Sequence, residues 1–143
     1  MEVHFTVPGE PQGKGRPRAS KLKNGDLRMR TPDNTVSYEN LIKLAYDNQC
    51  NYRFDDKTAL HMSVIATYSI PMSISKKKRQ QMIDGFIRPI KKPDSDNVLK
   101  VVADSLNQIA YRDDAQIASI VLNKYYGEKP GLTVYIRVLE LPF

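Results

Sequence analysis

From Lys92 to Asp104 the chain reads Lys-Pro-Asp-Ser-Asp-Asn-Val-Leu-Lys-Val-Val-Ala-Asp, and Asp113-Asp114 follow shortly after. Carboxylates, an amide and a lysine gather around one short segment of a chain whose net charge is +6. Carboxylate oxygens are hard ligands, and a group of them suits a hard divalent cation such as Mg²⁺. Such an ion lowers the pKa of its bound water and neutralises charge building on a scissile phosphate. Without the ion, the carboxylates repel one another and resist full ionisation. One acidic site in an otherwise basic chain points to an enzyme acting on nucleic-acid phosphates.

The spacing assigns expected roles. Asp94 and Asp96 would lie about 200° apart on a helix but on one face of an extended segment. Pro93 biases Lys92 away from helical geometry, which places both acids at the extended entry to a helix, with Ser95 or Asp96 near its N-cap. Carboxylates there gain about 0.3–1 kcal/mol each from the helix dipole. Asp96, Lys100 and Asp104 then recur every four residues along one stripe, while Leu99, Val102, Leu106 and Ile109, widened by Val98 and Val101, form the apolar side. Asp94, Asp96, Asp113 and Asp114 are the candidate metal ligands. Lys100 is placed to meet a phosphate or its transition state as a point charge. Asn97 and Asp104 are expected to support the ligands from behind. Any one of these residues alone would fit a helix cap or a surface ion pair; the set together points to a site.

The elements that must position these groups follow from periodicity. Val3, Phe5 and Val7 alternate with polar residues as a strand does, and so do Leu60, Met62, Val64, Ala66 and Tyr68. Residues 8–34, rich in Gly and Pro, read as irregular. Tyr38, Leu41, Ile42 and Ala45 share a helical face, predicting a helix over 36–49. Ser73 or Ser75 caps a short basic helix through about Asp84, and the acidic helix covers about 96–109. Residues 116–126 and 132–139 read as strands joined through Gly127 and Gly131 as a hairpin. The sum is an α+β fold, a four-stranded mixed sheet packed with helices. With 143 residues, no repeat and no linker, one domain spanning 1–143 is expected.

Composition excludes several classes. No apolar run approaches a membrane span, and Met1-Glu2-Val3-His4 does not open a signal peptide. One cysteine, Cys50, permits no intramolecular disulfide and fits a reducing cytoplasm. Cys50, His4 and His61 are too few for a structural zinc site. The glycines near Lys14 do not form a P-loop, so NTP hydrolysis is disfavoured.

Positive charge concentrates in two stretches. Residues 14–30 carry Lys14, Arg16, Arg18, Lys21, Lys23, Arg28 and Arg30 against Asp26. Residues 76–92 carry Lys76, Lys77, Lys78, Arg79, Arg88, Lys91 and Lys92 against Asp84. Such side chains bind phosphates and set register on nucleic acid without reading bases. Lys14, Arg16, Arg18, Lys76, Lys77, Lys78, Arg79, Lys91 and Lys92 are the candidate DNA contacts.

Lys92-Pro-Asp-Ser-Asp-Asn-Val-Leu-Lys100, Asp104-Ser-Leu-Asn107 and Tyr111-Arg-Asp-Asp-Ala-Gln-Ile117 resemble the RusA family of Holliday junction resolvases. Gly13-Lys-Gly-Arg-Pro-Arg18, Arg30-Thr-Pro32 and Ser37-Tyr-Glu39 resemble its phage and prophage branch. The resemblance runs through nearly the whole chain. It implies that Asp94, Asp96 and Asp114 are essential metal-binding acids, that Lys100 is an important lysine, and that Asp113 is an adjacent carboxylate. It further implies a homodimer with two active sites and Mg²⁺ as cofactor, with Mn²⁺ as a substitute. Such a dimer nicks opposing strands of a four-way DNA junction and leaves 5′-phosphate and 3′-hydroxyl ends. Two alternatives share the same residues: a nuclease for other branched nucleic acids, and a non-catalytic DNA-binding module.

Overall fold

The computed structural model describes residues 1–15, 18–30 and 33–140. Its centre is a four-stranded sheet of β1 (Glu2–Pro8), β4 (Leu60–Ser69), β5 (Ile117–Gly127) and β6 (Gly131–Val138), in the order β1-β6-β4-β5. The sheet is mixed, because β4 runs antiparallel to β6 and parallel to β5. The period-two patterning holds. Phe5 and Val7 of β1, Leu60, Met62, Val64 and Ala66 of β4, and Leu132, Val134 and Ile136 of β6 are buried on one face.

Helices α1 (Asp33–Gln49) and α3 (Ser95–Ser105) supply much of the rest of that core, with Phe54, Leu106, Ala110 and Tyr111 from the connecting segments. Tyr38, Ile42 and Tyr46 project from α1, and Val98, Val101 and Val102 from α3. Fully burying each of these side chains is worth about 1.5–3 kcal/mol. Helix α2 (Lys76–Ile83) is capped by Ser75, whose hydroxyl accepts from the Lys78 amide at 3.2 Å. No described helix is long and apolar enough to cross a membrane.

Five expectations need correction. Strands β5 and β6 do not form a hairpin, since both pair with β4, which lies between them. Flanking strands sit about 10 Å apart, and residues 128–130 span that gap past the end of β4, where Ser69 pairs Gly127 and Thr67 pairs Gly131.

The second correction concerns residues 8–34, which include a two-stranded ribbon, β2 (Arg18–Lys21) with β3 (Leu27–Arg30). Asn24 and Gly25 turn it: the Asn24 side chain accepts from the Asp26 amide at 3.1 Å, and Gly25 has φ +90°. That backbone region costs a side-chain-bearing residue but not glycine.

Third, α3 ends at Ser105 rather than near 109, with Leu106 as its C-cap. The Ser105 hydroxyl turns back onto the Val101 carbonyl, and Gln108 takes φ +66°, which an α-helix does not accommodate. Finally, the N-cap of α3 is Asp94, in extended backbone geometry, and its carboxylate makes no capping hydrogen bond. Helix α1 also begins earlier than its apolar face implied, at Asp33.

Candidate nuclease site

The acidic residues sit where α3 passes the start of β5. Asp96, Lys100 and Asp104 occupy successive turns of α3, as the four-residue spacing requires. After α3 the chain reverses through residues 106–112 and enters a short 3₁₀ turn, Asp114–Gln116, directly ahead of β5. Side chains hold this reversal. Asn107 Oδ1 accepts from the Asp114 amide at 2.8 Å, and Gln108 Nε2 donates to the Arg112 carbonyl at 2.7 Å. Buried Tyr111 donates its hydroxyl to the Ala103 carbonyl at 2.7 Å. Gln116 Oε1 accepts from the Arg112 and Asp113 amides at 2.9 and 3.2 Å, and its Nε2 donates to the Asp55 and Thr58 carbonyls at 2.9 and 3.1 Å.

The reversal brings Asp114 beside Asp104, close enough for each carboxyl to shift the other's ionisation. Asp96, Lys100 and Asp114 open onto one depression of about 220 Å³, walled by Leu99, Ile117 and Ile120. Asp104 is also approached by two ammonium groups, Lys14 at 3.1 Å and Lys100 at 3.5 Å. Lys14 continues to Glu39 of α1 at 3.3 Å. The loop carrying Lys14 is fitted tightly to α3. The Lys14 amide donates to the Asn97 carbonyl at 3.2 Å, and a Cβ at Gly13 would stand 2.9 Å from that of Asn97.

Residues 8–137 match the family described as Endodeoxyribonuclease RusA. The chain belongs to the RusA family of endodeoxyribonucleases. It is also 35% identical, over 136 residues, to the uncharacterised protein YqaN of Bacillus subtilis strain 168, a match covering 94% of this chain and 95% of that one.

The RusA-type site differs in emphasis from the sequence expectation. Asp104, expected to support the ligands, lies beside Asp114 and takes the ammonium groups of both Lys14 and Lys100. Asp94 lies at the exposed entry to α3, close enough to Tyr68 to act on its phenol, while the Tyr68 hydroxyl donates to the Pro93 carbonyl at 2.8 Å. Asp113 is the N-cap of the 3₁₀ turn, and one of its oxygens accepts from the Ala115 amide at 3.0 Å. Asn97 contributes through its backbone, and its side chain hydrogen-bonds no carboxylate among the described residues. Among the described residues no three acids, histidines or cysteines converge within coordinating reach. Two touching carboxylates are nonetheless what Mg²⁺ needs, because it keeps several waters and shares its remaining positions with substrate phosphates. The all-oxygen donor set therefore fits a hard divalent cation.

Of the candidate DNA contacts, Lys76, Lys77 and Lys78 are exposed on α2, and Arg79 pairs with Glu128 at 3.6 Å. Lys92 is exposed beside the acidic segment. Lys91 stands 5.9 Å from the ring centres of both Tyr68 and Tyr126, and Lys124 reaches Tyr68 at 5.0 Å. Arg16 and the side chain of Arg18 lie outside the described residues. Lys14 points to carboxylates rather than to open solvent. Cys50 donates its thiol to the His4 carbonyl at 3.2 Å, and His61 Nδ1 lies 2.8 Å from Ser119 Oγ.

Sequence reading assigned no role to Glu39, and it absorbed Gln116 only through family resemblance. Glu39 lies on another helix, so no local spacing marks it.

The electrostatics follow from this packing. Burial, then the adjoining Asp104 carboxyl and the Asp113 charge, push Asp114 above the usual carboxylate range, and Lys100 opposes only in part. Burial would raise Asp104 too, but its hydrogen bonds to Lys14 and Asp114, with the Lys14 and Lys100 charges, hold it below that range. For Asp114 the folded pKa exceeds the unfolded one, so its ionised form destabilises the fold above that pKa. Asp114→Asn is therefore expected to raise the melting temperature in EDTA at pH 7. The gain should disappear as the pH falls through the carboxylate range, where the wild-type group is already neutral. Thermal melts across pH check this; an unchanged or lower melting temperature at pH 7 would count against a strained pair.

Proposed function

We propose that this chain is a Mg²⁺-dependent, structure-selective endonuclease that resolves four-way DNA junctions. It works as a cytoplasmic homodimer, making paired symmetric nicks that leave 5′-phosphate and 3′-hydroxyl ends. The observation that carries the reading is the depression lined by Asp96, Lys100 and Asp114, with Asp104 beside Asp114, within a basic chain of an endodeoxyribonuclease family.

Asp94, Asp96 and Asp114 would hold the ion, Asp104 would reach it from beside Asp114, and Asp113 offers the oxygen not engaged in capping. When bound, the ion activates water and neutralises charge on the phosphate under attack. Lys100 is the mobile cation of the site, with 61% of its side chain exposed, and it meets the non-bridging oxygens as their charge builds. Lys76, Lys77 and Lys78 on α2, with Lys91 and Lys92 ahead of α3, grip the backbone of the DNA arms without reading bases.

The test is cleavage of a strand-labelled four-way junction on denaturing gels, with Mg²⁺ or with EDTA. Paired nicks at symmetric positions, present only with Mg²⁺, are the expected result. Equal rates on linear duplex would remove junction selectivity, and tight binding without nicking would make the chain a binding module. Junction affinity is also expected to fall steeply with salt, by about tenfold or more between 50 and 200 mM, as phosphate contacts release counterions. A flat response would argue against a DNA backbone as the partner.

A further inference from the structure

Lys14 belongs to a basic stretch suited to phosphates, yet its ammonium is engaged by carboxylates in a partly buried setting. Its side chain is 23% exposed and bridges two acids from different helices, Glu39 at 3.3 Å and Asp104 at 3.1 Å. The bridge is built from the backbone outward. The Lys14 amide is fixed to the Asn97 carbonyl of α3, and the next amide, Gly15, donates to buried Thr35 Oγ1 of α1 at 3.0 Å. Gly13 lies so close to Pro93 and Asn97 that a Cβ there would come within 3.1 and 2.9 Å of theirs. The loop is thus tied to α1 and α3 on either side of Lys14, and its ammonium is delivered to Asp104. Lys100, the other lysine on Asp104, is looser, being mostly exposed and 3.5 Å away.

We propose that Lys14 is a positioning residue of the nuclease site, a tethered cation that bridges Glu39 to Asp104 and contests the Asp104–Asp114 carboxyls with the divalent metal ion. The inference rests on the metal-dependent reading above. An ammonium hydrogen-bonded to one member of a touching carboxyl pair neutralises it and keeps the pair assembled. The same ammonium repels an incoming dication and holds oxygens that the dication needs. Metal entry then requires Lys14 to withdraw toward Glu39, which is positioned to receive it. Glu39 thereby sets how readily Asp104 is released.

Mn²⁺ binding, followed by loss of the free-ion paramagnetic resonance signal in the absence of DNA, separates this role from plain loop anchoring. Lys14→Met keeps the packing of the stem and removes the charge, and it is expected to bind Mn²⁺ about tenfold more tightly than wild type. Glu39→Gln removes the alternative partner and is expected to bind several-fold more weakly. Lys14→Arg, which keeps the charge, should stay close to wild type. A structural anchor alone would lower the melting temperature of Lys14→Met without shifting Mn²⁺ affinity.

Binding unchanged or weakened in Lys14→Met, with Mn²⁺ still lost in Asp114→Asn, would overturn the inference and leave the metal site standing. If wild type binds no Mn²⁺, the metal-site reading fails and this inference fails with it. Should Lys14→Met not fold, Glu39→Gln decides, since equal or tighter binding in that variant overturns the proposal.

Discussion

Asp96→Asn is expected to abolish junction cleavage, by about a thousandfold or more, while junction binding stays intact or tightens. Asp96 is exposed in the first turn of α3 and opens onto the depression that contains Lys100 and Asp114. On the proposed function, removing its charge would take a ligand from the metal and lower repulsion toward DNA phosphates, so chemistry and binding are expected to move in opposite directions. Loss of a single group that stabilises transition-state charge typically costs 10²–10³ in rate, and loss of a metal ligand adds to it. The fold loses at most the helix-dipole contribution of about 0.3–1 kcal/mol. Single-turnover cleavage and electrophoretic mobility shift on one labelled junction measure both quantities. If the variant cuts like wild type, Asp96 is not a ligand.

The second large effect is expected at a residue that touches no substrate. Gln116→Ala removes an amide that serves four backbone groups, the Arg112 and Asp113 amides and the Asp55 and Thr58 carbonyls. Net hydrogen bonds are worth about 0.5–1.5 kcal/mol each, so a loss of about 2–3 kcal/mol of stability is expected in chemical denaturation. The Asp113-Asp114 turn loses its capping box at the same time. Since reacting groups must be held to within about an ångström, cleavage should fall by about ten- to a hundredfold under conditions where the variant remains folded. Normal cleavage by a destabilised variant would show that Asn107 alone suffices to place Asp114.

Features governed by local periodicity were legible in the sequence. Val3-Phe5-Val7 and Leu60 through Tyr68 each bury one face of a strand, so their alternation reports their place. The stripe of Asp96, Lys100 and Asp104 follows from helical geometry alone. Pairing between distant segments was not legible. The short link between Gly127 and Gly131 reads as a hairpin because nothing within it shows that β4 intervenes. The ribbon of β2 and β3 escaped notice because Ala19-Ser20-Lys21 and Leu27-Arg28 show no clear alternation, although Asn24-Gly25 is itself a turn signal. The contact of Asp104 with Asp114 depends on where the reversal at Gln108 aims the chain, and the bridge from Lys14 to Glu39 joins segments that share no spacing rule.

The first strand is paired along its length with the last, Glu2 opposite Arg137 and Pro8 opposite Gly131. The last strand also separates the first from β4. Every acid of the site has therefore been synthesised before the sheet beneath it can be complete, and contacts so remote in sequence form late and slowly. A nascent chain halted between β5 and β6 carries every acid of the site on the β4–β5 pair alone, with β1 still unpaired. The platform of the site is thus expected to be complete only once the last strand seats between β1 and β4.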